Sequence, residues 1–82
     1  MSERQAIIKE LLNRGWQLPW YDEGVPELTT SDYERQVTFS GTGWILGRFT
    51  DSDVNGVAVG RYETVEEGEG LEDLLQAIGR AA

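Results

Sequence analysis

Eighty-two residues make one domain with a small core. The chain has no cysteine and no histidine, which excludes disulfides, the usual structural zinc, thiol nucleophiles and imidazole bases. Fifteen acids against seven bases give a net charge of −8, and an acidic surface repels phosphates, so direct nucleic-acid binding is not expected.

Stability must come from packing, and three Trp, three Tyr and two Phe supply the large side chains. No run approaches the length of a membrane span, and the N-terminus reads as an amphipathic helix rather than a signal peptide. The expectation is a cytoplasmic protein, monomeric or a small homo-oligomer, with no cofactor and no membrane contact. Its charge suits a protein partner with a basic surface.

The chain opens with Ser2-Glu3-Arg4-Gln5, a capping-box pattern. Ile7, Ile8, Leu11 and Leu12 then form one apolar stripe at helical spacing. Gly15 is placed to end the helix in the left-handed conformation, with Trp16 folding back on Leu11. A helix is expected over 3–14.

Residues 16–32 hold both prolines, Pro19 and Pro26, so neither a long helix nor a central strand fits. The stretch is expected to be an aromatic loop. Trp16, Leu18 and Trp20 cap the core in one reading. In the other, Trp20 and Tyr21 form a contact patch for a partner, because Trp and Tyr dominate binding hot spots.

From Tyr33 the pattern alternates with period two, which predicts a strand over 33–40. Gly41-Thr42-Gly43 turns the chain into a second strand, 43–51, built on the apolar run Trp44-Ile45-Leu46. Asn55-Gly56 is a strong hairpin signal, and a third strand follows over 57–63. Tyr33, Arg35, Val37, Phe39, Trp44, Leu46, Arg48, Val57, Val59 and Arg61 then share the bulkier face. Gln36, Thr38, Ile45, Gly47, Phe49, Ala58, Gly60 and Tyr62 share the thinner one.

Thr64-Val65-Glu66-Glu67 is a further capping-box candidate, so the last helix starts at 65 or, past Gly68 and Gly70, at 70, and runs to 79. Leu71, Leu74, Leu75 and Ile78 give it a continuous apolar stripe. The fold class read from these elements is α+β, with order α-β-β-β-α. It is a three-stranded antiparallel meander with both helices packed on one face.

Three constellations carry chemical interest. Asp51-x-Asp53-x-Asn55-Gly56 resembles the first half of an EF-hand calcium loop, although Tyr62 stands where the bidentate Glu belongs and the flanks read as strands. These residues are the weak metal candidates, and hairpin turns use the same residue types. Glu63, Glu66, Glu67, Glu69, Glu72 and Asp73 put six acids in eleven residues with no base among them. Some suit a helix start, but six exceed what a cap requires, and together with Asp51 and Asp53 they could present spaced negative charge to a basic groove. Arg35, Arg48 and Arg61, one per strand, are expected either to pair with the acidic last helix or to hold an anion or carboxylate.

No catalytic constellation is present: there is no nucleophile elbow, no phosphate loop and no metal set. The expectation is a non-enzymatic protein-binding inhibitor that covers a partner's nucleic-acid-binding surface. In its most concrete form it is a phage-encoded anti-CRISPR or anti-restriction protein, working in the host cytoplasm. The acids of 63–73 would dock it, and Trp20, Tyr21 or Tyr62 would anchor it. The alternative is a structural or regulatory subunit docking through the aromatic loop or a sheet edge.

The element order, with Arg14-Gly15-Trp16-Gln17-Leu18-Pro19-Trp20-Tyr21 leaving the first helix, resembles a double-stranded-RNA-binding domain. The resemblance implies the α-β-β-β-α fold. It does not imply RNA binding, because that family's basic run at the last helix is replaced here by Glu66-Glu67-Gly68-Glu69-Gly70 and its first-hairpin histidine is missing.

Overall fold

The computed structural model describes residues 3–20 and 27–81. Helix α1 spans Glu3–Asn13, followed by strands β1 (Gln17–Trp20), β2 (Glu27–Thr29), β3 (Arg35–Ser40), β4 (Gly43–Val54) and β5 (Val57–Gly68), and then helix α2 (Leu71–Ala81). The five strands among the described residues form one antiparallel sheet in the order β1-β2-β3-β4-β5. The α+β class therefore stands, but the three-stranded meander is corrected to five strands. The two added strands lie within 16–32, where a loop was expected.

The end of α1 follows from its sequence. Gly15 adopts a φ of 91°, its N–H donates to the Leu12 carbonyl at 3.2 Å, and the Trp16 N–H donates to Leu11 at 3.0 Å. This pair of bonds is a Schellman cap. It turns Trp16 into the core beside Leu11, with Leu18 packed against them. Ser2 and Tyr21 lie outside the described residues, as does the side chain of Trp20.

One parity of the strands meets both helices. Val37, Phe39, Trp44 and Leu46 form a single core with Leu28 of β2, Ile7 and Leu11 of α1, and Leu74 and Ala77 of α2. Trp44 is the keystone. It is 1% exposed, and its indole N–H donates to the Gly70 carbonyl at 3.0 Å. Arg4 covers the outer side of Phe39, with its guanidinium 5.1 Å from the ring centre. In β2, Thr29 is buried, and its hydroxyl has no hydrogen-bond partner among the described residues.

Strand β5 overturns the earlier of the two expected starts of the last helix, at 65, and leaves the later one, near 70. It runs through Thr64-Val65-Glu66-Glu67 to Gly68, so that stretch is strand and α2 begins only at Leu71. Pairing with β4 overrides the poor β propensity of Glu and Gly. Leu46 opposes Glu66 while Gly47 opposes Thr64, which leaves Val65 as the extra residue of a bulge. The bulge resets the side-chain alternation, so Glu63 and Glu66 point to the same face.

The β4–β5 hairpin turns at Asn55 and Gly56, with φ values of 53° and 80°. Positive φ at both central residues is the type I′ turn that Asn-Gly favours. The strands are longer than expected, 43–54 and 57–68 against 43–51 and 57–63, whereas β3 is shorter, 35–40 against 33–40. Because β3 pairs β4 only as far as Arg48, the outer half of the hairpin is a free two-stranded arm. At its base Phe49 and Tyr62 meet edge to face at 5.5 Å, and the Tyr62 hydroxyl donates to the Tyr33 carbonyl at 2.7 Å.

Candidate functional site

The six acids of 63–73 do not share a helix. Glu63, Glu66 and Glu67 lie on β5, an edge strand; Glu69 lies in the connection; Glu72 and Asp73 occupy the first turn of α2. The macrodipole explains the last two, because carboxylates are favoured at a helix N-terminus. It does not explain the strand acids. Charge on an edge strand opposes pairing with another sheet, which is a structural reason for some of them.

Two of the six have side-chain partners. Glu66 accepts from Arg80 of α2 at 2.5 Å, and Glu69 accepts from the Thr42 hydroxyl at 2.9 Å. Glu63, Glu67, Glu72 and Asp73 have no hydrogen-bond or ion-pair partner among the described residues. Glu69, Glu72 and Asp73 also face Glu3 of α1 across an open groove of about 560 Å³. Glu3 was missed in the sequence because the groove depends on α1 and α2 lying together. Its carboxylate accepts the Leu71 N–H at 2.7 Å and so caps α2 from another helix.

The strand arginines behave otherwise than ion pairing with the last helix predicts. Arg35 donates to the Ala81 carbonyl at 2.6 Å, at the C-terminal end of α2, where carbonyls point outward and attract cations. The ion pair joining sheet and helix has the opposite sense, with Arg80 on the helix and Glu66 on the strand. Arg35 and Arg48 stand directly opposite each other across β3 and β4, and Arg61 opposes Thr50 further along the arm. Arg80 was missed in the sequence; a base in the last turn of a helix is its signal.

Of the aromatic candidates, Tyr62 is half-buried, with its ring on Phe49 and its hydroxyl bound to Tyr33. Burial first, and then the negative charge of Glu27, hold its phenol above the ordinary value of 10.0. Asp51 and Asp53 lie along β4, and Asn55 forms the tight turn, so 51–56 is hairpin rather than a loop wrapped round a cation. Among the described residues no group of three or more acids is placed to hold a metal. No described helix is long and apolar enough to cross a membrane.

The arrangement can therefore act by charge at two places: an acidic edge running from β5 to the start of α2, and a cluster of arginines at the other end of α2. Comparison of the chain with protein-family models, curated proteins and solved structures yields no match.

Proposed function

We propose that the protein is a small acidic binding protein that acts without catalysis, by covering a basic, nucleic-acid-binding surface of another protein. The observation that supports this reading is the row of carboxylates without partners, Glu63, Glu67, Glu72 and Asp73, along one sheet edge and into α2. Glu66, by contrast, is taken up by Arg80. Unpaired ones remain free to meet lysines and arginines, steer a partner by long-range attraction and exclude the phosphates it would otherwise bind. An inhibitor of a nuclease or of a nucleic-acid-guided defence complex, carried by a phage or mobile element, is the concrete form of the proposal.

The test is capture from bacterial lysate, eluted by a salt gradient and read by mass spectrometry. It is repeated with the triple variant Glu63→Lys, Glu67→Lys, Glu72→Lys, which touches none of the paired acids. A nucleic-acid-handling protein retained by the wild type, released at moderate salt, displaced by added DNA or RNA and lost by the variant would support the reading. Partners that survive high salt and bind the variant equally would overturn it and favour a structural subunit.

A further inference from the structure

Three guanidinium groups converge in a chain whose net charge is −8. Arg35, Arg48 and Arg80 line a cavity of about 240 Å³ between the sheet and the C-terminal end of α2, with Leu46, Val65 and Ala81 as apolar wall. Arg35 and Arg48 are in direct register, so their side chains leave the sheet side by side on one face. Like charges so placed repel.

Internal bonds satisfy only part of this cluster. Arg35 gives one amino group to the Ala81 carbonyl, and Arg80 gives one to Glu66. The Arg48 side chain has no hydrogen-bond or ion-pair partner among the described residues, although Glu63 opposes it in the ladder. Each guanidinium carries five donors in a planar fork, so all three keep donors to spare.

We infer that this cavity is a binding site for a small oxyanion, a phosphate or carboxylate group, held by Arg48 together with Arg35 and Arg80. An oxyanion accepts two parallel N–H bonds from one guanidinium, and it removes the repulsion between Arg35 and Arg48. The apolar wall strengthens the attraction by keeping water away from one side. The volume lies below that of pockets for larger organic ligands, which fits a single small anion. The site adjoins the acidic edge, where Glu63 opposes Arg48 and Glu66 pairs with Arg80, but it takes negative charge where the edge presents it.

Thermal melting of the full chain tests the inference, in inorganic phosphate, in succinate and in sodium chloride at matched ionic strength. At tenfold excess over the dissociation constant the melting temperature rises by about 8 °C beyond the chloride control. A rise with phosphate alone assigns a phosphate site, and a rise with succinate alone a carboxylate site. Arg48→Gln, an exposed substitution, leaves the melting temperature without anion unchanged or higher and abolishes the anion-specific rise. Lys9→Gln, on α1 and away from the cavity, keeps it. Three results would overturn the site: no rise beyond chloride, a full rise in Arg48→Gln, or an Arg48→Gln protein that melts lower without any anion.

Discussion

The Glu3 carboxylate accepts the backbone N–H of Leu71 at 2.7 Å, so the first turn of one helix caps the first turn of the other. Capping side chains normally come from the residue just before the helix. Here that residue is Gly70, with φ at 88° and no side chain to offer. The cap is supplied instead across 68 positions of sequence. Glu3→Ala should lower stability by about 1 kcal/mol, the usual worth of a capping side chain, as read by urea denaturation. An unchanged midpoint would show that water serves Leu71 equally well.

Gly68 has no room for a side chain. A methyl group there would lie 2.7 Å from Trp44 Cζ2 and closer still to the Asp73 carboxylate. Trp44 is fixed by its bond to Gly70 and cannot yield. Gly68→Ala should therefore destabilise by about 2 kcal/mol or more. Gly60→Ala makes a useful contrast. Its methyl would meet the Phe49 ring at 2.5 Å, but Phe49 is exposed and can swing aside. That change should cost less, below about 1 kcal/mol, because the obstacle is an exposed ring and not a buried one. Equal losses at the two positions would contradict the packing described.

The Thr29 hydroxyl is buried without a partner among the described residues. Replacing it by the near-isosteric valine removes a desolvated polar group and keeps the shape. Thr29→Val should raise stability by about 1 kcal/mol, measured by the denaturation midpoint. A loss of stability would mean that the hydroxyl is bonded after all.

Tyr62 links folding to alkaline pH. Burial and the charge of Glu27 raise its folded pKa above the ordinary value of 10.0, so the neutral phenol is favoured in the native state. Its contribution is fully present below the unfolded pKa and fades as pH rises through the folded one. Tyr62→Phe should flatten the stability profile above about pH 10. Phenolate absorbance during titration should show one tyrosine ionising later than free tyrosine. Its absence from that late phase in the variant identifies the residue.

Much of the fold was legible because particular residues allow one local answer. Gly15 followed by Trp16 specified the end of α1, and Asn55-Gly56 specified the hairpin turn. The parity of Val37, Phe39, Trp44 and Leu46 specified which face is buried. What stayed hidden depended on pairing between segments. Strands β1 and β2 are too short to show a period, and Pro19 argues against the first. The strand character of Glu63–Gly68 comes from β4, its partner, and not from its own propensities. The site followed the same division. The acids were visible as a run, but their distribution over an edge strand and a helix start was not. Arg35 could be matched to α2 from its face, yet its partner is a backbone carbonyl, which no side-chain pattern reveals.

Among the described residues, the outer half of the β4–β5 hairpin contributes none to the hydrophobic core. Its tight turn and ladder of bonds to itself are all that define it. Sequence can therefore be exchanged there without disturbing the folded body. The arm can be shortened by pairs of residues, keeping Asn-Gly at its tip, or rebuilt with a different recognition segment. It is the position on this scaffold where new specificity can be written at least risk to folding.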